Sequence, residues 1–156
     1  MIRVAAAIDS KRGLATDEGI PWDLPTDRVH LRQLTNGGNL LMGYGTYLDF
    51  KSATNDRNWF VLTTKSHRLK DGFRPVNDLK GFMKSPPENL WLFGGANVFA
   101  QTLGYADELE LTRVEGDFRC TKFFPEFEDD FKLTEKSKIF TENGINFHYE
   151  VWKRKS

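Results

Sequence analysis

Leu90-Trp91-Leu92-Phe93-Gly94-Gly95-Ala96-Asn97-Val98-Phe99 is an apolar run that meets a glycine pair and continues with helix-forming residues. A short, uninterrupted apolar run bounded by glycine reads as a strand covered on both faces. The residues after the pair predict a helix from Ala96 to Leu103. The same order of strand, glycine turn and helix start recurs in Leu40-Leu41-Met42-Gly43-Tyr44-Gly45-Thr46-Tyr47. Strands that alternate with helices predict an α/β layer architecture.

Outward from these two turns, Ile2–Ile8 reads as a buried strand, followed by a long polar loop from Asp9 to Trp22. Pro25 suits the first turn of a helix that runs to about Thr35, where Gly37-Gly38 stops it. Asn39–Met42 and Trp59–Thr63 read as strands and Gly43–Lys51 as a brief helix. Phe73–Val76 reads as a strand and Asn77–Lys84 as a helix with Asn77 at its N-cap. Glu108–Glu115 is strand-like. Asn143-Gly144, between the extended stretches Phe131–Phe140 and Ile145–Trp152, is a strong hairpin signal. The expectation is a single α/β domain over 1–156: a mostly parallel central sheet, an antiparallel C-terminal hairpin and flanking helices.

Composition narrows the class. The 156 residues are 39% hydrophobic and 28% charged, and 22 basic residues balance 22 acidic ones. At this length roughly 70% of the unfolded surface can be buried. A nucleic-acid binder carries a basic excess or stripe, and the short clusters Lys65–Lys70 and Lys153–Lys155 read as solvated faces. Cys120 is the only cysteine, so no intrachain disulfide can form. The apolar start Ile2–Ile8 is too short for a signal segment or a membrane span. A soluble cytoplasmic protein, without nucleic-acid or membrane partners, is expected.

Three constellations can carry chemistry. In Ile20-Pro21-Trp22-Asp23-Leu24-Pro25-Thr26-Asp27, a helix beginning near Pro25 puts Leu24, Leu31 and Leu34 at helical spacing from Asp27, on the stripe that faces the core. A carboxyl there is costly unless paired, and desolvation raises its pKa toward neutrality. An acid in a helix's first turn, stabilised by the macrodipole, is the plainer reading of the same position. Asp17 and Asp23 fall in the loop and can be solvated. The two glycine turns are the other constellations. Each lets backbone approach a ligand and aims helix N–H groups at a phosphate, or is simply a tight turn. No GxGxxG fingerprint or GxxxxGK loop is present. His30, His67 and His148 lack metal-ligand spacing, and no metal is expected.

Taken in order, these residues resemble the dihydrofolate reductase family over nearly the whole chain. The resemblance rests on Ala5-Ala6-Ala7-Ile8, the Ile20–Asp27 segment, Met42-Gly43-Tyr44-Gly45-Thr46-Tyr47, Phe93-Gly94-Gly95-Ala96, Leu111-Thr112 and Phe123-Phe124-Pro125. It implies reduction of 7,8-dihydrofolate to 5,6,7,8-tetrahydrofolate by NADPH, in support of one-carbon and thymidylate metabolism, by a monomer. Asp27 would hydrogen-bond the pterin and favour its protonation, with Thr112 assisting. Ala5, Ala6, Leu31, Phe50, Phe93 and Phe99 would line the substrate pocket, and Arg57 would hold the substrate's glutamate carboxylate. Ile20 and Trp22 would belong to a loop that closes over the nicotinamide, with Trp22 counted among the catalytic residues beside Asp27 and Thr112, and Ile20 touching substrate as well as cofactor. Ala7, Gly13, Leu14, Gly19, Ile20, Gly43, Tyr44, Gly45, Thr46, Thr63, Thr64, Lys65, Phe93, Gly94, Gly95, Ala96, Asn97, Val98 and Phe99 would contact the cofactor. Tyr44 stands where the family usually grips the 2′-phosphate with arginine, which leaves NADH open beside NADPH. Asn97 and Ala96 also depart from the pattern, with Lys65, His67 or Arg68 as alternative sources of charge. Other readings are a same-fold reductase of a riboflavin-pathway pyrimidine and a catalytically weak binding protein.

Overall fold

Ile2–Ile8 (β1), apolar but for Arg3, and the apolar Leu90–Gly94 (β6) pair in parallel near the middle of one large sheet. The structure is a computed structural model that describes residues 1–64 and 68–156. In chain order the remaining elements are β2 (Gly13–Ala15), α1 (Pro25–Leu34), β3 (Asn39–Gly43), α2 (Tyr44–Leu48), β4 (Asn58–Leu62), β5 (Phe73–Val76), α3 (Leu79–Lys84), α4 (Ala96–Thr102), β7 (Glu108–Val114), β8 (Lys122–Phe123), β9 (Phe131–Lys136), β10 (Phe140–Glu142) and β11 (Ile145–Arg154). The strand order is β10-β11-β7-β1-β6-β3-β4-β5. From β7 to β5 every pair is parallel, and β11 runs antiparallel to β7, β9 and β10. The mostly parallel sheet and the antiparallel C-terminal hairpin expected from the sequence are both present.

The pleat sorts side chains between two layers. Ala5 lies opposite Glu110, Ala6 opposite Leu111 and Ala7 opposite Thr112. One face carries Ala6, Leu41, Leu92 and Leu111 into a core with Met83, Phe99, Phe124 and Phe127. The other carries Ala5, Leu40, Met42, Trp59 and Trp91 under Leu31 and Leu34 of α1. Helix α1 therefore covers one face, and α3 and α4 cover the other.

Three local expectations are corrected. Asp78, not Asn77, is the N-cap of α3; its side chain accepts from Gly81 N. Starting at Leu79 puts Leu79, Phe82 and Met83 on one helical stripe against the core. Phe131–Phe140 is not one extended stretch: β9 and β10 share one edge of β11, and Ser137 stands between them. Ser137 N donates to Tyr149 O, while Ser137 Oγ accepts from Tyr149 N, both at 2.8 Å. The polar loop Asp9–Trp22 contains β2, which pairs with β8. Elements this short carry no readable period.

Candidate active site

Asp27 is the one fully buried residue of α1, at 4% exposure. Pro25 opens the helix, so Asp27 lies in its first turn and faces the sheet. Thr112 of β7 points from the sheet face opposite, and its Oγ1 donates to Asp27 Oδ1 at 2.6 Å. Burial pushes the Asp27 carboxyl up from its ordinary 3.8 to about 6, against the Thr112 hydrogen bond, which favours the charged form. The Glu142 carboxylate raises it further and Arg28 lowers it. Tyr149 of β11, in register with Thr112, has its phenol pushed up to about 12 by burial and by the Asp27 and Glu142 carboxylates. His30 stacks on the Tyr149 ring with centroids 4.0 Å apart.

The apolar residues expected around Asp27 divide between the two faces. Ala5, Leu31, Phe50 and Phe93 belong to the α1 side. Ala6 and Phe99 belong to the opposite core, where Phe99 packs on Phe124 with centroids 5.0 Å apart. Adjacent strand residues point to opposite faces, so the side chains of Ala5 and Ala6 cannot line one pocket. Trp22 is buried and meets Phe118 edge-on at 5.3 Å, with Ala7 packed against the same cluster. Ile20 is exposed. Arg57 lies against the end of α1, donating to Arg32 O and Thr35 Oγ1, each at 3.3 Å, and to Asp56 Oδ2 at 2.9 Å. Its Nε is buried without a protein partner.

The two glycine turns lie side by side. Strands β3 and β6 are parallel neighbours, with Met42 opposite Gly94. Helix α2 follows from Gly43 and α4 from Gly95, and neither start is capped by a side chain. A Cβ on Gly43 would come within 2.9 Å of Val98 Cγ2, so only glycine lets the turns approach this closely. A Cβ on Gly45 would meet nothing within 4 Å, so this turn faces open space. Gly94 adopts φ +111 and needs the left-handed freedom of glycine. Thr46 borders Gly95, and Thr63 is buried at the end of β4 while Thr64 is exposed. Ala96 and Val98 open α4, with Asn97 exposed. Tyr44 packs on Tyr47. Lys65 and His67 lie outside the described residues, and Arg68 is exposed.

Gly13, Leu14 and Gly19 sit in the loop that leads to Trp22. Gly13 is held beside Cys120 and Asp9; a Cβ there would come within 2.6 Å of Cys120 Cβ. Asp9, which sequence reasoning missed, is 1% exposed. It accepts from Gly13 N at 2.7 Å, Lys11 N at 2.9 Å and Phe118 N at 3.1 Å. Glu142 and Tyr149 were missed as well. They reach the site only through sheet pairing and helix docking, which no local pattern announces. Among the described residues no His, Cys, Asp and Glu cluster could hold a metal, and no helix is long and apolar enough to cross a membrane.

Residues 1–154 match the family described as dihydrofolate reductase. The dihydrofolate reductase of Bacillus subtilis (strain 168) is 28% identical over 161 residues, covering 100% of this chain and 96% of its own length. That of Staphylococcus aureus is 29% identical over 147 residues, covering 88% of this chain and 92% of its own. The solved dihydrofolate reductase from Enterococcus faecalis, complexed with NADP(H) and RAB-propyl, superposes with a TM-score of 0.89 at 20% identity. That match covers 100% of this chain and 97% of the other.

Proposed function

The chain belongs to the dihydrofolate reductase family, and from that membership we propose that it reduces 7,8-dihydrofolate to 5,6,7,8-tetrahydrofolate with NADPH. The observation that carries the reading is the buried Asp27–Thr112 pair. Reduction of the substrate's ring imine adds a hydride at carbon and a proton at nitrogen. An acid with a pKa of about 6 has both protonation states accessible near neutral pH, which suits it to manage that proton. Thr112 holds the carboxyl in one orientation and offers its oxygen to the ring. Ala5, Leu31, Phe50 and Phe93 supply the apolar wall; Ala6 can take part through its backbone, while Phe99 supports the turn from beneath. Arg57, with one N–H still unsatisfied, can turn to a substrate carboxylate in competition with Asp56.

NADPH supplies the hydride when bound. The paired turns fit it: Gly43, Gly45 and Gly95 leave backbone accessible in front of the buried Gly94, and Thr46 and Thr64 offer hydroxyls nearby, with Thr63 buried beside them. Ala7, Gly13, Leu14 and Gly19 border the nicotinamide end in this reading, and Trp22 and Ile20 close over it to exclude water. The protein acts as a cytoplasmic monomer of one domain, in support of tetrahydrofolate supply. Loss of NADPH absorbance that requires dihydrofolate is the test. An enzyme that oxidises NADPH with a riboflavin-pathway pyrimidine, and not with dihydrofolate, would overturn the reading.

A further inference from the structure

Helix α1 begins without local help. Its N-cap is Leu24, which has no acceptor, and Pro25 has no N–H to satisfy. The first free donor is Thr26 N, and it is met from far along the chain. Glu142 Oε1 accepts from Thr26 N at 3.1 Å and Glu142 Oε2 from Thr26 Oγ1 at 2.6 Å. Beside it, Asn143 Nδ2 donates to Asp23 O at 2.9 Å. The hairpin turn therefore clamps the segment that ends at Asp27. We propose that Glu142 is a positioning residue for the reduction: through Thr26 it holds the first turn of α1, and with it sets a carboxylate beside Asp27.

The surroundings leave Glu142 as the group that acts in this direction through charge. From β7, Thr112 stabilises the Asp27 carboxylate. From β11, Tyr149 stays neutral, with its phenol pushed up and His30 stacked on its ring. On α1 itself Arg28 favours the carboxylate, but its guanidinium is paired with Asp23 at 2.7 Å. Two hydrogen bonds from Thr26, at the positive end of the α1 macrodipole, hold the Glu142 carboxylate next to the turn that carries the buried acid.

The inference rests on the proposed reductase reading, so the test has a readout that needs no turnover. The carboxyl carbon of Asp27 is titrated by NMR in the free protein, in wild type and in the variants Glu142→Gln and Glu142→Asp. Glutamine keeps an acceptor for Thr26 and removes the charge; aspartate keeps the charge. Glu142→Gln should lower the Asp27 midpoint by roughly half a pH unit, about a threefold loss of protonated acid above the midpoint. Glu142→Asp should stay near wild type. In the reductase assay the high-pH limb of kcat should move down by the same interval. An unchanged midpoint in Glu142→Gln overturns the proposal, as does an equal drop in both variants, which would assign the effect to geometry alone. Absence of dihydrofolate turnover in wild type would instead overturn the reductase reading and leave the titration interpretable.

Discussion

At the scale of the residue, the site depends on one acid whose surroundings oppose each other. Burial pushes Asp27 up while Thr112 pulls it down, and the net position of about 6 suits proton management near neutrality. Asp27→Asn keeps the hydrogen bond to Thr112 and removes the proton. Single-turnover hydride transfer should then fall about 100-fold or more, with a smaller change in dihydrofolate affinity. Wild-type rates across the pH range would take Asp27 out of its role. Tyr44 raises a separate question of charge. A guanidinium can engage a phosphate with two parallel hydrogen bonds where a phenol cannot. Tyr44→Arg should lower the KM for NADPH roughly fivefold and leave that for NADH unchanged. An unaltered KM for NADPH would assign the 2′-phosphate to other residues. Asp27 was readable in the sequence because it shares a helical stripe with Leu31 and Leu34; Leu24, expected on the same stripe, is instead the non-helical N-cap and packs with Trp22 and Val114. The partner of Asp27 was reached only through the family resemblance, since Thr112 lies 85 positions away and meets it across the sheet, where no local pattern points.

At the scale of the element, the loop before α1 is held at both ends by carboxylates that stand just at the ends of strands, Asp9 after β1 and Glu142 closing β10. Glu142 holds its exit, and Asp9 holds its entry. Asp9 joins Lys11 and Gly13 to Phe118, and β2 is pinned to β8 in the same corner. Burial and the neighbouring Asp9 carboxylate push the Cys120 thiol up to about 11, so this buried cysteine packs as an unreactive apolar group. Asp9→Ala would strand three backbone donors, one of them buried, and should cost about 3 kcal/mol in urea unfolding. Amide exchange at Gly13 and Phe118 should quicken in the same variant. Retained protection at both amides would show that the loop is anchored without Asp9. Several elements were legible: β1, α1, β5 and the Asn143-Gly144 turn have the bounds or the turn chemistry that the sequence implies. Asn143 and Gly144 both adopt positive φ, as a tight hairpin turn requires. The shift of the α3 cap to Asp78 was not legible, because Asn77 and Asp78 can both cap, and packing of Leu79, Phe82 and Met83 chooses between them.

At the scale of the molecule, an acid in the interior such as Asp27 is a cost to folding. Between pH values near 3.8 and 6 the folded chain holds a proton on Asp27 that the unfolded chain has lost. Stability from this group therefore falls as pH rises through that window, the reverse of an acid in a salt bridge. Asp27→Asn should be more stable than wild type by about 3 kcal/mol above about pH 7 and show no gain below about pH 4. Equal urea midpoints at both ends of the range would mean that the carboxyl is solvated in the folded protein. The sequence by itself determined the α/β class, the parallel order implied by strand–glycine–helix repeats, and the two turns that a ligand's phosphates could approach. These are local matters of apolar period, glycine φ and turn chemistry, encoded within a few residues. Only the tertiary structure decided that Ala5 faces the site while Ala6 and Phe99 face away, that Thr112 meets Asp27, and that Glu142 reaches the uncapped start of α1. Strand register sends neighbouring residues to opposite faces, and register is settled when whole faces pack rather than by the residues of one strand.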